Sequence, residues 1–351
     1  MNRRVKTAGT AGLLARAGLL ESLPGRLLRR LPGSLLAGVL GTLLGIGSAQ
    51  AQEYPVRPVT VIIPFSAGSA SDVIGRVVLE RMGASIGRAF VVDNRPAAGG
   101  NVGTQAAVRA EPDGYTILMN AFGPLAVNKV LNPHLGYDPE RDLAPISLYA
   151  VLPNVIVVSA KLPVTTLAEF TAYVKSHPNT PYGSVGNGSS QHLAGAFFEQ
   201  VAGVPMQHVP YRITGQLVTD LVSGQVPVSF QLGPNVLGQI KAGTVRPIAV
   251  ASDKRLAALP NVPTAAEAGL PGYLSAARFA FLAPRGTPRV IIDRLHREVV
   301  AAMADPAIRT RFADMGAEPQ ASTPEELARH ITAEIAKMRE IIGKAGIKLD
   351  P

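Results

Sequence analysis

The chain of 351 residues has no cysteine and no tryptophan, and aromatic residues make up only 5% of it. Without cysteine there is no disulfide, no thiolate chemistry and no lipid anchor on a cysteine; export remains possible, because a chain this long needs no staple. Charged residues are 17%, with no basic run and little aromatic interleaving. The net charge of +9 and pI near 9.9 would suggest a nucleic-acid partner. Their distribution removes that reading. Residues 1–51 hold seven basic residues against the single acid Glu21, and the remainder carries 27 basic and 24 acidic residues, a balance of +3. Motifs of catalysis are missing as well: no GxSxG, no HExxH, no Walker sequence and no GxGxxG. The six histidines (His134, His177, His192, His208, His296, His330) show no metal spacing. The inventory for catalysis is thin, so no enzyme is expected, nor a nucleic-acid partner, a metal or a cofactor, and monomer is the default state.

Residues 1–51 form a segment of their own. A basic flank leads to the 12-residue apolar stretch Leu35–Ile46, then Gly47-Ser48 and the small-x-small triplet Ala49-Gln50-Ala51. That is the pattern of a signal peptide for export to the periplasm. The apolar stretch is short of the ~20 residues a bilayer span needs.

Beyond it, strand and helix signals alternate, which predicts a layered α/β architecture with mostly parallel strands. Val59–Ile63 is short, apolar and β-branched, as a doubly buried strand should be. A small-residue loop follows, and then a helix with Val73, Ile74, Val77, Val78 and Met82 on one face. Further strands are expected at Phe90–Asp93, Tyr115–Asn120, Tyr182–Val185, Val226–Gln231 and Val245–Ala251. Asn132–Pro145 reads as polar surface. Thr166-Leu-Ala-Glu169 opens a helix to about Ser176 as a capping box, and Thr264–Glu267 is another box. Helices are expected over Gln191–Val201 and Thr214–Ser223. Thr287-Pro288 should cap a helix through Met303. A last helix starts at Thr323 with the stripe Leu327, Ile331, Ile335, Met338 and Ile342, read as core packing. The long run Ile146–Ser159 and the segment Arg278–Ala283 read as two crossings. They divide the chain into a first lobe, 53–149 plus 279–351, and a second, 150–278.

Several stretches, in order and covering nearly all of the chain from Tyr54, resemble the Bug-type substrate-binding proteins of tripartite tricarboxylate transport systems. These are Tyr54-Pro55 leading to Pro58, PFSAGSASD (Pro64–Asp72), DNRPAAGGNVG (Asp93–Gly103), PDGYTIL (Pro112–Leu118), NPHLGYDPERDLAPIS (Asn132–Ser147), YGSVGNGSSQHL (Tyr182–Leu193), VPYR (Val209–Arg212), PNVPTAAEAG (Pro260–Gly269) and APRGTP (Ala283–Pro288). The chain departs from the family pattern at Ser69, Ile213, Pro227 and Arg278, all expected near the cleft. The resemblance implies a type II periplasmic-binding-protein fold: two α/β lobes joined by two crossings, with a ligand cleft between them. It also implies a solute receptor that delivers a small organic carboxylate to membrane permease subunits. The ligand would be a di- or tricarboxylate, an acidic amino acid or an aromatic acid. The same loops would serve a ligand-sensing partner of a membrane sensor kinase.

Three groups are candidates for ligand contact. The first is the loop Phe65, Ala67, Gly68, Ser69 and Asp72, where a strand feeds a helix N-terminus whose free amides and dipole favour an anion. Ser69 and Ser71 hydroxyls would assist. Asp72 repels a carboxylate and is expected to bind the loop's own amides, or an amino group if the ligand has one. The second is Asn187, Gly188, Ser189, Ser190 and His192, with His192 read as a structural hydrogen-bond donor rather than a metal ligand. The third is Tyr211, Arg212 and Thr214; the Arg212 guanidinium suits a carboxylate, and a solvated arginine at a lobe edge is the equal alternative. Asn120 and Ala121 end a strand at the edge where open α/β sheets hold ligands. The loop opened by Asn94 and Arg95 reads as structural.

Overall fold

The structure is a computed structural model in which residues 54–345 are described, with side chains through residue 340. The expected signal peptide, residues 1–51, lies outside the described residues. Two strand–helix–strand units open the fold. β1 (Val59–Ile63), α1 (Ala70–Ile86), β2 (Phe90–Asn94), α2 (Asn101–Val108) and β3 (Thr116–Ala121) follow in order. β1 lies between β2 and β3, parallel to both. Such parallel neighbours need crossover helices, and α1 and α2 supply them. The face of α1 expected to be apolar packs inward, with Ile74, Val78 and Met82 fully buried and Val77 nearly so. A π-helical turn (Gly123–Val127) and the short helices α3 (Asn128–Leu131) and α4 (Pro139–Asp142) then lead into β4 (Leu143–Ser159).

The second half repeats the theme with α5 (Leu167–Ser176), β5 (Thr180–Ser184), α6 (Ser190–Ala202), β6 (Met206–Pro210), α7 (Thr214–Ser223), β7 (Val228–Leu232), α8 (Gly233–Lys241) and β8 (Val245–Val250). β5 is parallel to β6 and to β7. The chain closes with β9 (Ala276–Pro284), α9 (Arg289–Ala304), α10 (Pro306–Asp314), β10 (Glu318–Pro319) and α11 (Pro324–Ala345). The strand order is β2-β1-β3-β9-β4-β7-β5-β6, with β8 and β10 also on β4.

The sheet is mixed rather than mostly parallel. β4 and β9 run antiparallel to each other, β9 to β3, and β4 to β7 and β8. A strand that carries the chain from one half to the other and a strand that brings it back have opposite directions, and local strand propensity is blind to this. The change of partners falls inside β4. Leu143–Pro153 pair with β9, and from Asn154 onward the partners are β7 and β8. Pro153 has no N–H to give at that switch. Asn154, fully buried, rivets it: its side chain donates to the Phe230 carbonyl (3.0 Å) and accepts from the Ser275 hydroxyl (3.0 Å).

Each half has its own core, one around Val61, Ile63, Ile74, Phe281, Leu295 and Phe312, the other around Ile156, Phe170, Phe198, Phe230 and Tyr273. Both capping boxes exist. The one at Thr166–Glu169 opens α5, whereas the one at Thr264–Glu267 closes a turn with no helix after it. Thr287 does not cap α9; its hydroxyl donates to the Pro284 carbonyl instead. The segment expected as polar surface contains the buried Leu143, because β4 already begins there, and the buried Tyr137, whose hydroxyl donates to the Pro124 carbonyl. In α11, Leu327, Ile331 and Ile335 pack into the first half as expected; Ile342 lies beyond the described side chains.

Candidate functional site

Two loops of the same build meet at the centre of the molecule. In the first, Gly68 is left-handed (φ 75°) and Ser69 caps α1, its hydroxyl accepting from the Asp72 amide. The Gly68 amide in turn donates to the Asp72 carboxylate (3.0 Å). In the second, Gly188 is left-handed (φ 74°) and Ser189 caps α6, its hydroxyl accepting from the His192 amide. The Gly188 amide donates to Nδ1 of the His192 ring (3.1 Å). Position for position, glycine, serine cap and a side-chain acceptor three residues past the cap recur. Only glycine takes this left-handed turn without a Cβ penalty.

Both helix starts point into one cavity. Ser69, Ser71, Ser189, Ser190, Gln191 and Asn235 supply its polar wall; Phe65, Ala121, Leu232 and Phe279 are among the apolar groups closing it. It holds about 20 Å³ of water-accessible space, enough for an oxygen or two. The first-turn amides have no helical carbonyl to bond, and both dipoles favour negative charge here. Ser71 adds a donor: it is 5% exposed, and its hydroxyl makes no hydrogen bond among the described residues.

The walls touch around this cavity. The Ser66 hydroxyl donates to Thr214 Oγ1 (3.1 Å) and accepts from the Thr214 amide (3.2 Å). The Ala70 amide donates to Asn235 Oδ1 (2.7 Å). Asn235 is held from behind by a buried relay: its Nδ2 donates to Gln231, Gln231 to Ser229, and Ser229 to the Gly183 carbonyl. A Cβ on Gly99 would overlap the Asn187 carbonyl, and one on Gly123 the Gly188 carbonyl. The 94–100 loop, read as structural, therefore lies directly against the second loop.

Of the expected contact residues, Phe65, Ser69, Ala121, Ser189 and Ser190 line the cavity. Others do not. Ala67 and Gly68 face solvent. Asp72 is turned away, held by Arg76, Asn94 and the Gly68 amide. Burial pushes its carboxyl pKa up, but Arg76, the amide and Asn94 outweigh this and leave it below the usual carboxylate range. Asn120 is fully buried and folded back on Thr104 and the Ala121 amide. His192 supports the loop from below, stacked on His208 (ring centroids 4.0 Å apart), and its Nδ1 accepts rather than donates. Gly188 packs against Asn128 and Gly123.

Asn187, Tyr211, Arg212 and Thr214 line a separate open groove of about 470 Å³ on the outer side of the contact. There Arg212 donates to the Pro96 carbonyl (3.4 Å). Tyr211 donates to Asp220 (2.8 Å), and burial together with that carboxylate pushes its pKa up to about 12. Asn235 and Gln231 went unread in the sequence, although Gly233-Pro234-Asn235 is a third strand-to-helix turn with proline at a tolerated first-turn position.

Two α/β halves joined by long antiparallel strands, with helix N-termini converging between them, define the fold of a periplasmic binding protein. The comparisons agree. Residues 74–347 match the family described as "Tripartite tricarboxylate transporter family receptor". The BugT protein of Bordetella pertussis is 35% identical over 301 residues, 85% of this chain and 92% of that one. The solved periplasmic binding protein BugD superposes with a TM-score of 0.80 at 33% identity, covering 85% of this chain and 100% of that one. An R. palustris protein solved with adipate gives 0.82 at 34%, with the same coverage. MatC from Rhodopseudomonas palustris, with bound malate, gives 0.77 at 32%, covering 82% and 100%. The chain belongs to the tripartite tricarboxylate transporter receptor family.

Proposed function

We propose that the chain is a periplasmic solute receptor. It binds the carboxylate of a small organic acid between lobes 53–149 plus 279–351 and 150–278, closes on it, and delivers it to membrane permease subunits. The observation that carries this is the pair of serine-capped helix N-termini facing one cavity, with the buried Ser71 hydroxyl left over as a donor. An anion there meets two dipole ends and several unused donors, and meets them only while the two walls are together. A ligand shifts a conformational equilibrium by its differential affinity for the two states, so contacts to both walls are what make it close the cleft. Adipate and malate in two relatives support a carboxylate.

The test is a dye-reported thermal-shift screen of the protein from Gln52 onward against mono-, di- and tricarboxylates, acidic amino acids and aromatic acids; the lack of tryptophan makes a dye the better reporter. Ligand at 100 times its Kd adds ~2.7 kcal/mol, which for a chain of this size raises Tm by roughly 5 °C or more. Ser71→Ala should weaken binding of the hit about 10–150-fold, the worth of one charge-assisted hydrogen bond; Ser190→Ala should weaken it less, because that hydroxyl must leave Gln191 Oε1 to reach the ligand. A hit whose affinity ignores both substitutions would refute the assignment of the site.

A further inference from the structure

The carboxylate cavity has room for little beyond the carboxyl oxygens, so the body of the ligand must lie elsewhere. Ala121 and Ser190, which line that cavity, also line a second pocket of about 190 Å³. Its walls are mostly apolar: Phe122, Val127, Leu193, Phe197, Leu274 and Met338. Phe122, Val127 and Met338 are buried, whereas Leu274 is 58% exposed, a large apolar side chain standing at the pocket with most of its surface in water. Three charged residues, Glu334, Lys337 and the exposed Arg278, also border the pocket.

Resting on the receptor reading above, we infer that the substrate is a monocarboxylate with a single-ring aromatic or branched alkyl body, its carboxyl between the two helix N-termini and its body in the pocket of Phe122, Phe197 and Leu274. The two cavities share Ala121 and Ser190 as walls, and the size fits. An apolar cavity of about 150 Å³ takes a benzene ring, and this one is somewhat larger. Placing an apolar body here removes its own surface and that of Leu274 from water, which stabilises in proportion to area. A second carboxylate at the same depth would be desolvated among aromatic and aliphatic groups; at the border Glu334 repels it while Arg278 and Lys337 attract it, so the selection rests on desolvation.

Calorimetric titration with phenylacetate, 3-phenylpropionate, succinate and adipate tests this. The aryl acids should bind at least tenfold tighter than either dicarboxylate. Leu274→Asp should weaken the best aryl acid tenfold or more, and Leu274→Phe should retain it. Leu274 is exposed, so both variants should fold, and an unchanged Tm of the unliganded protein checks that. Tighter binding of succinate or adipate, or an aryl acid indifferent to Leu274→Asp, would overturn this inference and leave the receptor reading standing. Binding of none of the four, with the wider carboxylate screen also flat, would overturn both.

Discussion

Replacing Gly123 by alanine probes whether contact between the walls is the binding state. Gly123 has no left-handed conformation to lose, so the added methyl brings no backbone strain. All three of the nearest atoms it would meet belong to Gly188 and Ser189, across the cavity rim, and the first is the Gly188 carbonyl oxygen. Ordinary contact is at ~3.5 Å, so the walls must part by roughly 1 Å. Overpacking a well-packed contact costs about 1–3 kcal/mol. If the walls part without ligand, as the proposed receptor requires, the cost falls on closure, and about 2 kcal/mol corresponds to ~30-fold in Kd. The unliganded protein should keep its stability to within ~1 kcal/mol, the entropic gain of Gly→Ala partly offsetting any residual strain. Gly238→Ala, in α8 with nothing near its Cβ position, is the control and should leave Kd unchanged. Calorimetry with a proven ligand reads both. A Gly123→Ala protein that binds like wild type would refute the idea that these walls meet in the liganded form.

Asn235→Ala removes the acceptor of the Ala70 amide and strands the Gln231 end of the buried relay; Tm should fall by several degrees, with a stability loss of about 1–3 kcal/mol. Thr214→Val removes the hydroxyl that meets Ser66 and leaves the backbone bond intact. It should raise Kd about 2–10-fold, one neutral hydrogen bond, with little change in Tm. Asp72→Asn tests, through pH, the carboxylate held by Arg76, Asn94 and the Gly68 amide. Its folded pKa is depressed, so its contribution is present above the unfolded value of about 3.9 and is lost as pH falls through the folded value. Denaturant titrations should show wild type more stable than the variant at pH 7, with the gap closing below about pH 4; a gap independent of pH would contradict this.

Much of this site was legible because its signals are local. A serine cap, a glycine that must turn left-handed and a helix start are all written within five residues, so both loops could be placed before any tertiary information. What could not be read is which way each side chain faces. Asp72 and His192 sit at equivalent positions and both turn back to hold their own glycine, which becomes evident only when the two loops are compared in space. Asn120 looked like a ligand at a strand edge, but Thr104, sixteen residues earlier, claims it. Tyr211 and Arg212 belong to the outer groove because they follow β6, the edge strand, one strand beyond the β5 that leads to the second helix start. Asn235 contributes through a partner 165 residues distant, a pairing no window along the chain contains. The antiparallel course of β4 and β9 was hidden for the same reason: direction is a property of the connection, whereas propensity belongs to the strand.

The pairing of β9 has a consequence for how the chain acquires its structure. β3 takes β9 as its neighbour, as does the first part of β4, yet the whole second half of the sheet lies between them in sequence. Chain emerging from its amino end therefore holds β1 to β3 with one flank unsatisfied until Pro284 has appeared. Pairings of such long sequence separation are slow to form, and an unpaired flank is open to partners of the wrong kind. The second half, by contrast, can assemble most of its β-ladders from its own residues. Refolding should then show two phases, the inserted half early and the amino-terminal half last, and a chain ending before β9 should remain soluble only in the company of a holding chaperone.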